Sequence, residues 1–173
     1  MNNSFNQVSL VVLAGGMGSR FGGLKQLFPI GAKKQTILEY TLDDAQAIGI
    51  RKVVFLIRRA IEEEFRDVIL NKLFRRPFEI KLAYQEVKPV PGGFGVHPQR
   101  ERPWGTGHAL LIAYEALRTD AAVVVNADDY YGPNALKAAA EAASWGRNAL
   151  VAYPLEKTLS TRGSVSRGLI KVG

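Results

Sequence analysis

From Leu13 to Lys25 the chain reads Leu13-Ala14-Gly15-Gly16-Met17-Gly18-Ser19-Arg20-Phe21-Gly22-Gly23-Leu24-Lys25. Five of the nine positions from 15 to 23 are glycine. A backbone without Cβ atoms takes positive φ and approaches a ligand closely, so several N–H groups can converge on phosphate oxygens. Arg20 and Lys25 add fixed positive charge to the same loop. A second reactive stretch is Asn126-Ala127-Asp128-Asp129, which follows the apolar run 122–125. A hard cation such as Mg2+ takes carboxylate, water and phosphate oxygens, so an aspartate here can bridge a metal and a triphosphate. The third is Trp104-Gly105-Thr106-Gly107, where a helical pattern opens. Thr106 is the expected N-cap, and the flanking glycines let a flat base lie against the backbone.

Two familiar phosphate loops fail on this sequence. A dinucleotide fingerprint requires G-x-G-x-x-G, but Phe21 stands where the third glycine belongs. A P-loop requires lysine directly after its last glycine, and Leu24 intervenes between Gly23 and Lys25. His97 lies in a loop and His108 at a helix start, so the two histidines do not form a metal site.

The reactive stretches sit at the ends of regular elements. Short apolar, β-branched-rich runs at 8–13, 53–57, 80–84, 122–125 and 149–153 predict strands. Helical periodicity covers 36–48, with Ile37, Tyr40, Leu42 and Ala45 on one side, and recurs at 61–74, 106–117 and 134–144. This alternation predicts a three-layer α/β/α, Rossmann-like fold with a doubly wound, mostly parallel sheet. At the carboxyl edge of such a sheet ligands bind, which is where Asp128 falls. Residues 87–103, with four prolines and three glycines, form an inserted loop that reads as mobile.

At 173 residues the chain fits one domain with a substantial core, and 47% hydrophobic content excludes a disordered protein. The excess of 23 basic over 16 acidic residues gives +7, which suits anionic partners without choosing among them. With no cysteine there is neither a disulfide framework nor a thiolate metal site, and a reducing compartment is expected. Residues 1–7 lack a basic segment and the following apolar run is too short to span a membrane, so the expected location is cytoplasmic. Basic residues such as Lys72, Arg75 and Arg76 are interspersed with acids and lack an aromatic stacking platform, which argues against nucleic acid. Trp104 and Trp145 read as packing residues.

Taken together, the opening loop resembles the signature L-A-[AG]-G-x-G-[ST]-R, followed by lysine, of the nucleotidyltransferases that activate sugar phosphates. Arg20 and Lys25 stand closer together than in the common form, and Leu24 replaces its proline. Molybdenum-cofactor guanylyltransferases and isoprenoid-pathway cytidylyltransferases carry related loops, so the subfamily stays open. The likeness continues through Phe28-Pro29-Ile30-Gly31, the 36–40 helix start and the Asp128 strand, where Ala127 replaces the family's glycine. It ends at Ser166-Arg167-Gly168-Leu169-Ile170, which is similar to the family's R-G strand near the sugar.

The resemblance implies a Mg2+-dependent transfer of a nucleoside monophosphate from an NTP to a sugar 1-phosphate, releasing pyrophosphate. It places Leu13, Ala14, Gly15, Gly16, Gly18 and Ser19 around the nucleotide, with Arg20 and Lys25 as catalytic cations and Asp128 on the metal. Gln85 and Gly105 fall where the family reads the base edge, beside Thr106. Asp129 is expected to point elsewhere. Relatives continue with sugar-binding residues, so residues 1–173 correspond to the nucleotide-binding domain of a longer enzyme or to a natural short form. The expected partners are an NTP and a phosphorylated sugar, without nucleic acid or membrane; a homo-oligomer is compatible. A nucleotide-binding module without catalysis stays open. An NADP-dependent reductase, motivated by Arg58-Arg59 after the second strand, conflicts with the broken fingerprint.

Overall fold

The computed structural model describes residues 5–15, 29–30, 35–87, 95–101, 103–117, 121–160, 163–165 and 168–171. Four strands, β1 (Val8–Leu13), β2 (Lys52–Ile57), β3 (Glu79–Tyr84) and β4 (Ala121–Asn126), form one sheet in the order β3-β2-β1-β4. Every pairing is parallel, with Leu10 opposite both Val53 and Val123. Parallel strands require crossovers, and helices supply them: α1 (Ile37–Ala47), α2 (Glu62–Phe65) with α3 (Asn71–Leu73), and α4 (Thr106–Leu117), while α5 (Pro133–Ser144) follows the last strand. A π-helical segment, Arg66–Leu70, joins α2 to α3, so the expected 61–74 helix is continuous but unevenly wound.

The period of two along each strand divides the core between the faces. Val8, Leu10 and Val12 of β1 pack with Leu38 and Leu42 of α1, Phe65 of α2 and Leu136 of α5. Phe55 and Phe65 meet edge to face there, with centroids 5.1 Å apart. Val11, Val54 and Leu56 face the other way, onto Ala109 and Ala113 of α4. Helices therefore cover both faces, and the small alanines let α4 approach closely. In α1 the buried face is Leu38, Leu42 and Ala45, while Ile37 and Tyr40 stay partly exposed. Thr36 caps this helix: its hydroxyl accepts from Glu39 N–H at 3.1 Å, and the Glu39 carboxylate accepts from Thr36 N–H at 2.8 Å. Such a reciprocal cap contributes about 1 kcal/mol.

Three expectations change. Residues 149–153 are not a strand: β4 ends the sheet among the described residues, and this stretch lines the groove beside the open edge of β4 without pairing to it, leaving Leu150 83% exposed. Gly168, Leu169 and Ile170 likewise lie outside regular structure, whereas Ser166 and Arg167 fall outside the described residues. Trp145 is 67% exposed at the end of α5 and is not a packing residue. Of the 87–103 insertion, the described residues 95–101 carry no helix or strand. Among the described residues no helix is long and apolar enough to cross a membrane.

Candidate functional site

Chain order and spatial order diverge at β1. From β1 the chain winds outward through β2 to β3, then returns to place β4 on the opposite side of β1. Crossovers leaving in opposite directions open a crevice at the carboxyl ends of the two strands. Backbone bonds extend the ladder one residue past each strand: Ala14 N–H donates to Leu56 O at 2.8 Å, Gln85 N–H to Ile57 O at 2.8 Å, and Ala127 N–H to Leu13 O at 3.1 Å. Gly15, Gln85 and Asp128 are thereby fixed at one edge.

A crevice of about 250 Å3 opens there, lined by Leu13, Gly15, Gln85, Trp104, Gly105, Thr106, Ala109, Asn126 and Asp128. The loop after β1, the end of β3, the start of α4 and the turn after β4 thus meet in one space. Ala14 lies beside it, buried in the larger core. Gly16, Gly18, Ser19, Arg20 and Lys25 lie outside the described residues. A larger groove of about 560 Å3 runs along the outer side of β4, is mostly apolar, and shares Leu13, Thr106 and Asn126 with the crevice.

The start of α4 differs from expectation in one detail. The carbonyl of Gly105 accepts the first helical bond, from Ala109 N–H at 3.2 Å, so Gly105 holds the cap position and Thr106 begins the helix. Gln85, only 8% exposed, donates from Nε2 to Trp104 O at 2.6 Å and to Gly105 O at 3.2 Å. Trp104 carries the Arg100 guanidinium over its ring at 3.7 Å. The sequence pattern did not assign it to a site; its position directly before the glycine that caps α4 was the available signal.

The turn after β4 separates its two carboxylates. Asp129 Oδ2 accepts from Asn126 Nδ2 at 2.9 Å and from the Tyr131 hydroxyl at 3.4 Å, while Asn126 N–H donates to that hydroxyl at 3.0 Å. Asp128 is left on the crevice wall. Burial raises the Tyr131 phenol above its usual range, and the nearby Asp129 and Asp128 carboxylates push the same way against the bond from Asn126 N–H. Tyr153 anchors this turn from outside, donating to Tyr131 O at 2.8 Å. Gly132, with φ of 82°, then swings the chain into Pro133 and α5, a conformation that favours glycine. The Asn126–Asp129–Tyr131 clamp had no signature in the sequence beyond the polar residues themselves.

Other candidates stand apart. Arg59 lies over the Tyr84 ring at 4.0 Å, and its backbone N–H donates to Glu86 at 2.8 Å. His108 is partly buried in the first turn of α4, with Nδ1 unpartnered among the described residues. No group of three or more His, Cys, Asp or Glu side chains suited to a metal occurs among the described residues.

Among solved structures, Rv0371c from Mycobacterium tuberculosis H37Rv superposes with a TM-score of 0.53 at 19% identity, covering 80% of this chain and 62% of that one. The inositol-1-phosphate CTP transferase from T. maritima superposes with a TM-score of 0.52 at 14% identity, covering 76% and 48%. At these identities the likeness shows the fold, and this chain spans less than two thirds of either relative. No curated protein matches by sequence. The family model of the MobA-like NTP transferase domain matches residues 10–160, which takes in most of β1, the crevice segments and all of α5; the chain belongs to that family of nucleotidyl-transferring domains.

Proposed function

We propose that the chain binds a nucleoside triphosphate in the crevice between β1 and β4 and transfers its nucleoside monophosphate to the phosphate of a sugar 1-phosphate. A phosphate oxygen of the acceptor attacks the α-phosphorus, a new P–O bond forms, the bond to the β-phosphate breaks, and pyrophosphate departs. The single observation that supports this reading most is the meeting of Gly15, Gln85, Gly105, Thr106 and Asp128, from four separate segments, at the strand-order switch.

The protein's part is to orient two polyanions and to offset charge in the transition state. Arg20 holds the departing phosphates and Lys25 offsets charge at the α-phosphate. No nucleophilic side chain is required, because the acceptor phosphate is already ionised. The donor set fits Mg2+ as a shared ligand: Asp128, whose carboxylate has no hydrogen-bond partner among the described residues, beside a space for phosphates, with Asp129 engaged by Asn126 and Tyr131. When bound, Mg2+ supplies charge neutralisation at the reacting phosphates. Asp128 holds its place through the clamp behind it. The proposed setting is the cytoplasm.

Pyrophosphate release, measured with four NTPs against a panel of sugar 1-phosphates and Mg2+, tests the reading beside calorimetric nucleotide binding. Release that requires one matched pair is the expected result. Binding without release from any pair identifies a nucleotide-binding module, and absence of binding removes the reading.

A further inference from the structure

Both amide hydrogens of Gln85 are committed inward, to the carbonyl oxygens of Trp104 at 2.6 Å and Gly105 at 3.2 Å. Two acceptors on one side fix the amide's orientation, since a flipped amide would set Oε1 against carbonyl oxygen. Oε1 is thereby turned toward Gly15, where a Cβ would lie 3.1 Å from it. The carbonyl of Gly105 is also the one that starts α4, accepting from Ala109 N–H. A single buried side chain therefore ties the end of β3 to the start of α4 while filling the space that Gly15 leaves open. An amide reads a base edge by offering donor and acceptor together, and here the donor half is spent.

We propose that Gln85 is a positioning residue, a strut that sets the gap between Gly15 and the Trp104–Thr106 segment, and does not read the base. Its effect on ligands rests on the nucleotide reading above; its geometry does not. A strut that fails widens the crevice for every nucleotide alike, whereas a lost reader penalises particular bases.

Trp104 and Trp145 are the two tryptophans of the chain, and Trp145 is exposed on α5, so Trp145→Phe leaves Trp104 as a single emission reporter. In that background, Gln85→Met preserves side-chain length and removes both donors. The expected result is a red shift of Trp104 emission without ligand. Affinities for the Mg2+ complexes of ATP, GTP, CTP and UTP should fall by one common factor of about tenfold, with far-ultraviolet dichroism unchanged. Should that variant not fold, Gly15→Ala presses on the same amide and is expected to shift the emission in the same direction. Unchanged emission overturns the strut, as does an affinity loss confined to one base. Failure of the parent protein to bind any of the four nucleotides removes the function reading alone, because the emission comparison still decides the strut.

Discussion

Replacing Gly15 by alanine separates fold stability from ligand binding in a way the geometry makes quantitative. The backbone φ at Gly15 lies outside the left-handed region, so alanine can take its conformation, and only the added methyl matters. Among the described residues that methyl meets Gln85 Oε1 at 3.1 Å and Leu56 O at 3.7 Å, so of these the amide must yield, by a few tenths of an ångström. The amide cannot retreat freely, because its longer bond, to Gly105, already measures 3.2 Å. Weakening it costs about 1 kcal/mol. Alanine also restricts the unfolded chain, which returns about 0.4–1 kcal/mol to folding stability. The two nearly cancel, and the melting temperature should move by no more than about 2 °C for a chain of this size. Nucleotide affinity gains no such offset and should fall about fivefold. Thermal denaturation and titration calorimetry on one preparation read both quantities. A drop in melting temperature of about 8 °C or more would show that the amide cannot yield, and an unchanged affinity would detach Gly15 from the ligand; either refutes the reasoning.

Lys25→Ala is expected to slow pyrophosphate release by roughly 10²-fold or more with little change in nucleotide binding, and turnover within a few-fold of the parent removes Lys25 from the mechanism. Asp128→Asn should abolish the Mg2+ dependence of nucleotide binding while leaving metal-free binding intact, so persistent Mg2+ dependence in calorimetry places the metal elsewhere. Tyr131 makes stability alkali-sensitive: burial makes the folded phenol hold its proton above the ordinary phenol value of 10.0, so the unfolded chain ionises first. Its contribution is fully present below pH 10 and lost as pH rises through the folded value. Melting temperatures from pH 9 to 12 should therefore decline less steeply in Tyr131→Phe than in the parent, and parallel declines reject the assignment.

The fold was legible where burial and periodicity agree. Residues 8–13, apart from the buried Ser9, and 53–57 are apolar because both their faces are covered, as β1 and β2 at the middle of the sheet require. Residues 149–153 carry the same apolar pattern, but a strand also has to pair, and this stretch stands off the open edge of β4 across a groove, a separation that composition does not report. Gly15, Gln85 and Asp128 could be picked out because each lies within two residues of the end of a strand, so the topology brings them to one edge. Trp104 and Tyr131 could not, since a backbone carbonyl and a phenol oxygen take part through their position in space. The cap of α4 moved by one residue for a similar reason: a carbonyl, which every residue has, starts the helix there.

Gly15, Gln85, Gly105, Thr106 and Asp128 belong to neither hydrophobic cluster, although each adjoins an element that does. Among the described residues the crevice touches the interior only through Leu13 and Ala109, which also belong to the cluster beneath α4, so its glycine and polar positions can be exchanged with the packed layers left in place. A scaffold so arranged can change its choice of nucleotide or acceptor through small steps in short loops, with the sheet as a constant foundation.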